Sequence, residues 1–306
     1  MDEKGKFNIK AVSKLVGLSD HTIRAWERRY SALTPERTNT NRRLYSEEDI
    51  EKLSLLSEAV KSGHTISNIA NYNIPDLRRL TKKNIDAQNV NEIKAEDSFT
   101  ELIKHSIGCI IEFDRGGFEK YLMQASLEFS KQKMLTGFII PLLTEIGELW
   151  ANGKIRIMHE HFASSILRTF TGNLIDGNLN PAEAPQLIAT TPEGFLHELG
   201  ALIAAVYAMD FGWNSVFLGP NLPAEEISAA VIKNKATAVL LSLIYPKDEP
   251  HTGNQLYKLR KYLGENFPII LVGQSASSYA KFSNENGCLI IDKIVDLKEV
   301  LQKIRN

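Results

Sequence analysis

No stretch of this chain runs to some 18 uninterrupted apolar residues, so the sequence offers no ready membrane-spanning helix. Its start, Met1-Asp2-Glu3-Lys4, lacks the apolar centre of a secretory signal. Cysteine is scarce: Cys109 and Cys288 lie far apart among apolar neighbours, which fits free buried thiols in a reducing compartment better than a disulfide or metal pair. These absences lead us to expect a cytoplasmic protein without a membrane partner. Neither charge dominates, since 36 Lys and Arg stand against 37 Asp and Glu, a formal net of −1. The charge is unevenly spread, however, with a net of +3 over residues 1–80 and −4 over the remainder. A modest basic bias at one end matters for its position more than its size.

What is present is enough for more than one core: 306 residues, 43% of them apolar, predict two or three domains. Over residues 7–70 short helices alternate with polar turns, at Ile9–Leu15, Thr22–Tyr30, Ser46–Val60 and Thr65–Ala70. Ser19-Asp20 supplies a cap for the second, and Ser46 with Asp49 opens the third. Leu33–Tyr45, rich in Thr, Asn and Arg with Pro35, suits a β-ribbon. Residues 71–97 are polar and broken at Pro75, and a linker with an irregular helical piece is expected over 76–97. Residues 98–178 read as four helices of about 15 residues, with breaks at Gly116-Gly117 and Lys131-Gln132. Asp176–Pro185 reads as a second linker. Five short apolar strands then recur, Leu187–Thr190, Ser215–Leu218, Ala238–Ser242, Ile269–Val272 and Leu289–Ile291, each followed by a helix. The expected fold is therefore multidomain α and α/β: a winged helix-turn-helix head over 1–75, a four-helix bundle, and over 185–306 a flavodoxin-like doubly wound parallel sheet ordered 2-1-3-4-5.

In the head, a DNA-reading helix needs a basic outer face over an apolar anchor. His21, Thr22, Arg24 and Arg28 are expected to project outward, with Ile23, Trp26 and Tyr30 packed inward against Val12, Leu15, Val16 and Leu18. Arg24 suits a guanine edge or a phosphate, and Arg37, Arg42, Arg43 and Tyr45 would flank the groove from the ribbon. Taken singly, each charge is as well explained by a solvated face. Their ordered set is more specific: Phe7-x-Ile9, Gly17-Leu18-Ser19, Thr22-Ile23-Arg24-x-Trp26-Glu27, Pro35-x-Arg37, Arg43-x-Tyr45-Ser46 and Asp49-Ile50. It resembles the DNA-binding domain of the MerR family. That resemblance implies a homodimer on an inverted-repeat operator in double-stranded DNA, with Arg24, Arg43 and Tyr45 at the DNA and a carboxy-terminal region that senses an effector.

At the other end, Thr191-Pro192-Glu193-Gly194-Phe195-Leu196-His197-Glu198-Leu199-Gly200 follows the first strand of the sheet, where doubly wound folds bind ligands. A neutral imidazole ligates transition metals well. His197 and Gly200, then Ser242 in Leu241-Ser242-Leu243-Ile244, then Gly273, occur in an order that resembles the cobalamin-binding domain of corrinoid methyltransferases and mutases. The resemblance implies His197 as the cobalt ligand, with the cofactor's tail beside Ser242 and Gly273. Phe195 stands where that pattern has an acid, and Gln274 where it has a second glycine. The first change removes the carboxylate that would fix the histidine tautomer, a role open to Glu193 or Glu198.

Trp150, nine residues, then Glu160-His161 can cover a flat ligand by stacking and hydrogen-bond a ribose or adenine edge. Taken alone, this is equally an aromatic core residue and a helix start. In its position it resembles the cap of methionine synthase and of the light-sensing CarH and LitR regulators, where this motif surrounds the 5′-deoxyadenosyl group. Ala151 stands where the light-sensing members carry an upper histidine ligand, and His159 is the nearby alternative donor. The implied protein is a transcriptional regulator, a repressor by type, whose homodimeric or homotetrameric state and operator binding respond to adenosylcobalamin and to light. Two other readings stay open: the same regulator acting through protein contacts without cofactor, and a corrinoid carrier in methyl transfer. The second lacks a zinc cluster or methyl-donor domain, and 306 residues leave little room for one.

Overall fold

The computed structural model describes residues 7–38, 41–82, 88–175, 180–245 and 250–305, and it divides into two compact units, residues 1–160 and 161–306. The first unit opens with α1 (Ile9–Val16), capped by the Asn8 side chain and ended by Gly17 in the left-handed conformation. Next come α2 (Asp20–Tyr30), capped by Ser19, and a two-stranded antiparallel ribbon, β1 (Glu36–Arg37) with β2 (Arg43–Leu44). In α3 (Glu47–Lys61) the capping box is complete, because Ser46 and Asp49 each accept the other's backbone N–H. The short α4 (Ile66–Ile69) and then α5 (Ile74–Lys82) follow. Ile23, Trp26, Tyr45, Leu53, Leu56, Ile66 and Leu77 form the core of this head.

Two expectations are corrected here. Leu15 is exposed: the buried stripe of α1 runs through Val12 and Val16, four residues apart, and Leu15 falls beside it. The region read as a linker is largely helical. Pro75 sits in the first turn of α5, where its missing N–H costs nothing, and Asn73 caps the helix by accepting from Asp76 N at 2.8 Å. The helix α6 (Gln88–Ile111) then begins within the same stretch.

The middle of the chain continues with α7 (Arg115–Glu128), then a continuous helical run made of α8 (Lys131–Met134), a π-helical turn at Leu135–Ile139 and α9 (Ile140–Ala151), then α10 (Ile157–Asn173). Gly116 and Gly117 do not break a helix; they lie in the first turn of α7. Asp114 caps that turn on Gly117 N at 2.9 Å, and a Cβ at position 117 would meet Asp114 Oδ2 at 2.2 Å. Lys131–Ala151 is long and apolar enough to cross a membrane, but here it contributes Met134, Leu135, Phe138, Ile139, Leu142 and Ile146 to the core and carries Glu145 and Glu148. The division into units falls inside α10. Part of the expected second linker, residues 176–179, lies outside the described residues.

The second unit is built on five parallel strands, β3 (Gln186–Thr190), β4 (Asn214–Phe217), β5 (Ala238–Ser242), β6 (Ile269–Val272) and β7 (Leu289–Ile291), in the spatial order β4-β3-β5-β6-β7. This is the 2-1-3-4-5 arrangement. Its helices are α11 (Leu199–Met209), α12 (Ala224–Lys233), α13 (Pro250–Leu263), α14 (Ala280–Asn286) and α15 (Leu297–Arg305). β5 is buried at all five positions, and α11 is buried from Ala201 to Met209, as expected of elements covered on every side. The loops after β3, β5 and β6 therefore share the carboxyl edge of the sheet.

One contact ties the head to the helices that follow it. The indole N–H of Trp26, on α2, donates to the carbonyl of Leu127 at the end of α7 at 3.0 Å, and Tyr30 donates to Glu128 at 3.3 Å. Burial first, and then the Glu128 charge, pushes the Tyr30 phenol up to about 12. Trp26→Phe keeps a ring but removes the donor, and should cost about 1–3 kcal/mol in a denaturant titration of the whole chain. Unchanged stability would show that the bond contributes nothing net.

Candidate functional sites

On α2, residues 21, 24 and 28 recur at helical spacing, and His21, Arg24 and Arg28 are all exposed while Ile23 and Trp26 on the opposite face are buried. Thr22 differs from expectation. It is half-buried and belongs to the helix cap, its N–H bonded to Ser19 Oγ at 3.0 Å and its hydroxyl 2.8 Å from the same atom. In the ribbon Arg37 and Arg42 are exposed, with Arg37 donating to Asn41 at 2.8 Å. Thr38 accepts from Arg42 N at 3.0 Å and closes the turn.

Arg43 and Tyr45, both expected at the DNA, are placed otherwise. Arg43 Nε donates to both oxygens of Glu27, at 2.7 and 3.0 Å, which ties the ribbon to α2 and holds the guanidinium in its charged form. Tyr45 is fully buried in the head core, and its hydroxyl has no hydrogen-bond partner among the described residues. Its backbone pairs with Phe7, which turns the ring inward. Burial, then the Glu27 charge, pushes its phenol up to about 12. A side chain so placed organises the head rather than offering a free donor to DNA. Glu27 stands in the ordered motif set of the head, but nothing in residues 27 and 43 taken separately reveals their pairing.

In the second unit, the loop after β3 is held chiefly by Asn221 and Gln255, which come from distant parts of the chain. Thr191 Oγ accepts from Asn221 N at 2.8 Å and itself donates to the Phe195 carbonyl at 2.5 Å, while Gly194 N donates to Asn221 Oδ1 at 2.8 Å. Gln255 donates to Glu193 and accepts from Ala224 N at 2.9 Å. Phe195 is fully buried in the core of the sheet domain. His197 is exposed beside Leu196, which is 69% exposed, and Tyr245, 60% exposed, whose ring meets the imidazole edge-on at 6.1 Å. Neither glutamate hydrogen-bonds the imidazole itself: Glu193 is bonded to Gln255 and Glu198 to Arg168.

Behind this loop the backbone elements approach unusually closely. A Cβ at Gly200 would meet Ser242 Oγ at 2.4 Å, and one at Gly273, whose φ is +107°, would meet the Leu243 carbonyl at 2.5 Å. Ser242 Oγ is buried without a partner among the described residues. Ser275 fastens the neighbouring strand ends, donating from N and Oγ to Leu243 and Ile244 carbonyls at 2.9 and 2.7 Å. Gln274 is exposed. These features suit a corrinoid: an accessible imidazole for cobalt, an unsatisfied buried hydroxyl, and two glycines where a side chain has no room. The lost carboxylate at position 195 is the one element that does not.

In the helices before the sheet, Trp150 is 47% exposed at the end of α9, and Ile157 and Met158 are also exposed. Glu160 is half-buried in the first turn of α10, and His161, the next residue, is exposed. His159 accepts from Arg156 N through Nδ1 at 3.0 Å and stacks on Phe113 at 4.8 Å, so one of its ring nitrogens is already engaged.

Comparison with known proteins finds the MerR HTH family regulatory protein description over residues 7–73, and a B12 binding domain at residues 102–175 and again at 185–295. The chain is similar to the HTH-type transcriptional repressor CarH of Myxococcus xanthus, 27% identical over 89% of this chain and 90% of that protein. It is also similar to the repressor CarA of the same organism, 24% identical over 97% of each. Among solved structures, the monomethylamine corrinoid protein of Methanosarcina barkeri shares the fold, with a TM-score of 0.54 at 17% identity, over 67% of this chain and 99% of that one.

Two outcomes test these sites. Arg24→Ala should weaken operator binding by about 1–3 kcal/mol in a fluorescence-anisotropy titration if the side chain reads a base, with most of the loss restricted to the specific sequence. Gly200→Ala should destabilise the chain by about 1–3 kcal/mol through the collision with Ser242 Oγ. Most of that loss should return in the double variant with Ser242→Ala, which removes the colliding atom; strict additivity would deny the contact.

Proposed function

We propose that the chain is a MerR-type DNA-binding regulator with cobalamin-binding domains, a repressor whose operator binding is set by adenosylcobalamin held through His197. The observation that carries this reading is the imidazole at position 197, presented to solvent on a hydrogen-bonded loop beside the unsatisfied Ser242 hydroxyl and the two close-packed glycines. His197 would hold the cobalt and Gly200, Ser242 and Gly273 would border the nucleotide tail, while the Trp150, Glu160 and His161 motif is the element proposed for the deoxyadenosyl group. The bound group supplies a cobalt–carbon bond that light can break. The rest is done by the chain, in which Phe195 and Asn221 hold the histidine loop.

Regulation follows by linkage. A cofactor that binds only one assembly, a homodimer or homotetramer, stabilises it by about 2.7 kcal/mol at 100 times its dissociation constant. Operator occupancy then follows the assembly, provided the two states bind DNA differently. Ala151 offers no imidazole, so the light response in this proposal proceeds without a histidine from that position. His21, Arg24, Arg28, Arg37 and Arg42 form the DNA face of the head in a cytoplasmic protein.

Gel filtration of the purified chain in the dark and after illumination, with and without adenosylcobalamin, tests the whole reading. We expect a retained visible chromophore, a change of elution volume on illumination, and altered operator retardation. His197→Ala should lose the chromophore or change its spectrum. A chain that retains no chromophore yet binds operator would instead favour a cofactor-independent regulator.

A further inference from the structure

The carboxylate missing at position 195 leaves open what controls the placement of His197, and this question rests on the reading of His197 as the cofactor's ligand. Glu198, the next residue, is the N-cap of α11, yet its side chain makes no capping bond there. A carboxylate at a helix N-terminus has backbone N–H groups within ready reach. Glu198 turns away from them instead and takes Arg168 Nε on Oε1 at 2.5 Å. Its side chain is only 17% exposed, and Oε2 is buried with no hydrogen-bond partner among the described residues. An ionised carboxylate in that position depends on its one cation.

Arg168 belongs to α10, which carries His161 near its start. Seven residues separate the two. At 3.6 residues per turn they lie on the same face, about 10 Å apart along the helix axis. The ion pair therefore fastens the face of α10 that presents His161 to the residue adjoining His197. We infer that Arg168 and Glu198 form the latch that positions His197 for the cofactor, in place of the acid that Phe195 displaces. Arg168 and Glu198 are positioning residues: neither ligates the metal, and each acts through the placement of a neighbour.

The test uses the full chain and adenosylcobalamin in the dark, with Arg168→Met, Arg168→Lys, Glu198→Gln and the charge-swapped Arg168→Glu/Glu198→Arg. Three quantities are read for each: the cofactor dissociation constant by absorbance titration, the visible spectrum of the bound form, and the thermal midpoint of the cofactor-free chain. Second-sphere partners of a metal-bound histidine typically contribute about 10–100-fold in affinity. We expect a loss of about tenfold or more for Arg168→Met and Glu198→Gln, a smaller loss for Arg168→Lys, and partial recovery in the swapped pair, with the bound spectrum shifted in the weakened variants. Lowered thermal midpoints with unchanged affinity and spectrum would overturn the proposal and leave the pair a structural brace. If the unaltered chain retains no cofactor, the reading of His197 falls and the latch with it; if it does and the variants bind equally well, the latch alone falls.

Discussion

The burial of Phe195 is the constraint on which the carboxyl edge of the sheet depends. With its ring in the core of the sheet domain and its carbonyl held by Thr191, the residues that follow cannot retreat into the fold. Leu196 and His197 are turned out to solvent, and Glu198 is brought to the start of α11. Burying a phenyl ring contributes about 2–3 kcal/mol, enough to fix a short loop that has little apolar surface of its own. An acid at this position would orient the histidine by a hydrogen bond. This chain replaces that polar control with an apolar anchor and leaves the orientation of the imidazole to its surroundings.

The neighbouring elements show how tightly the edge is built. Gly200 and Gly273 have no room for a methyl group, because Ser242 and the Leu243 carbonyl already occupy the space. Close packing of this kind excludes water and keeps the strand ends from fraying, so a ligand meets a preformed surface and little ordering entropy is lost on binding. The Ser242 hydroxyl lies within this packing, buried without a partner among the described residues, and a buried polar group is ordinarily satisfied.

The head follows a different logic. Its reading helix has an exposed basic face and a buried aromatic one, and the buried face does two jobs: it fills the head core and reaches Leu127 and Glu128 on α7. Arg43 and Tyr45 are drawn into this architecture, the first by Glu27 and the second by full burial. Desolvation explains both placements. A tyrosine ring gains more from the core than its hydroxyl loses, and a half-buried arginine is stable only beside a carboxylate.

The sequence by itself determined the capped helices of the head, the five strand–helix units of the sheet and the exposed positions 21, 24 and 28, because these depend on periodicity, caps and turns that act over a few residues. Pro75 and Gly116-Gly117 misled because proline and glycine break a helix in its interior but are harmless in its first turn, and which turn they occupy depends on caps at Asn73 and Asp114. Only the tertiary structure decided that Arg43 belongs to Glu27, that Tyr45 is core, that Asn221 and Gln255 hold the histidine loop, and that Glu198 is paired with Arg168. Those pairings join residues between 16 and 62 positions apart. Their partners are set by the crossing of elements in space, and no local pattern along the chain encodes which charge will find which.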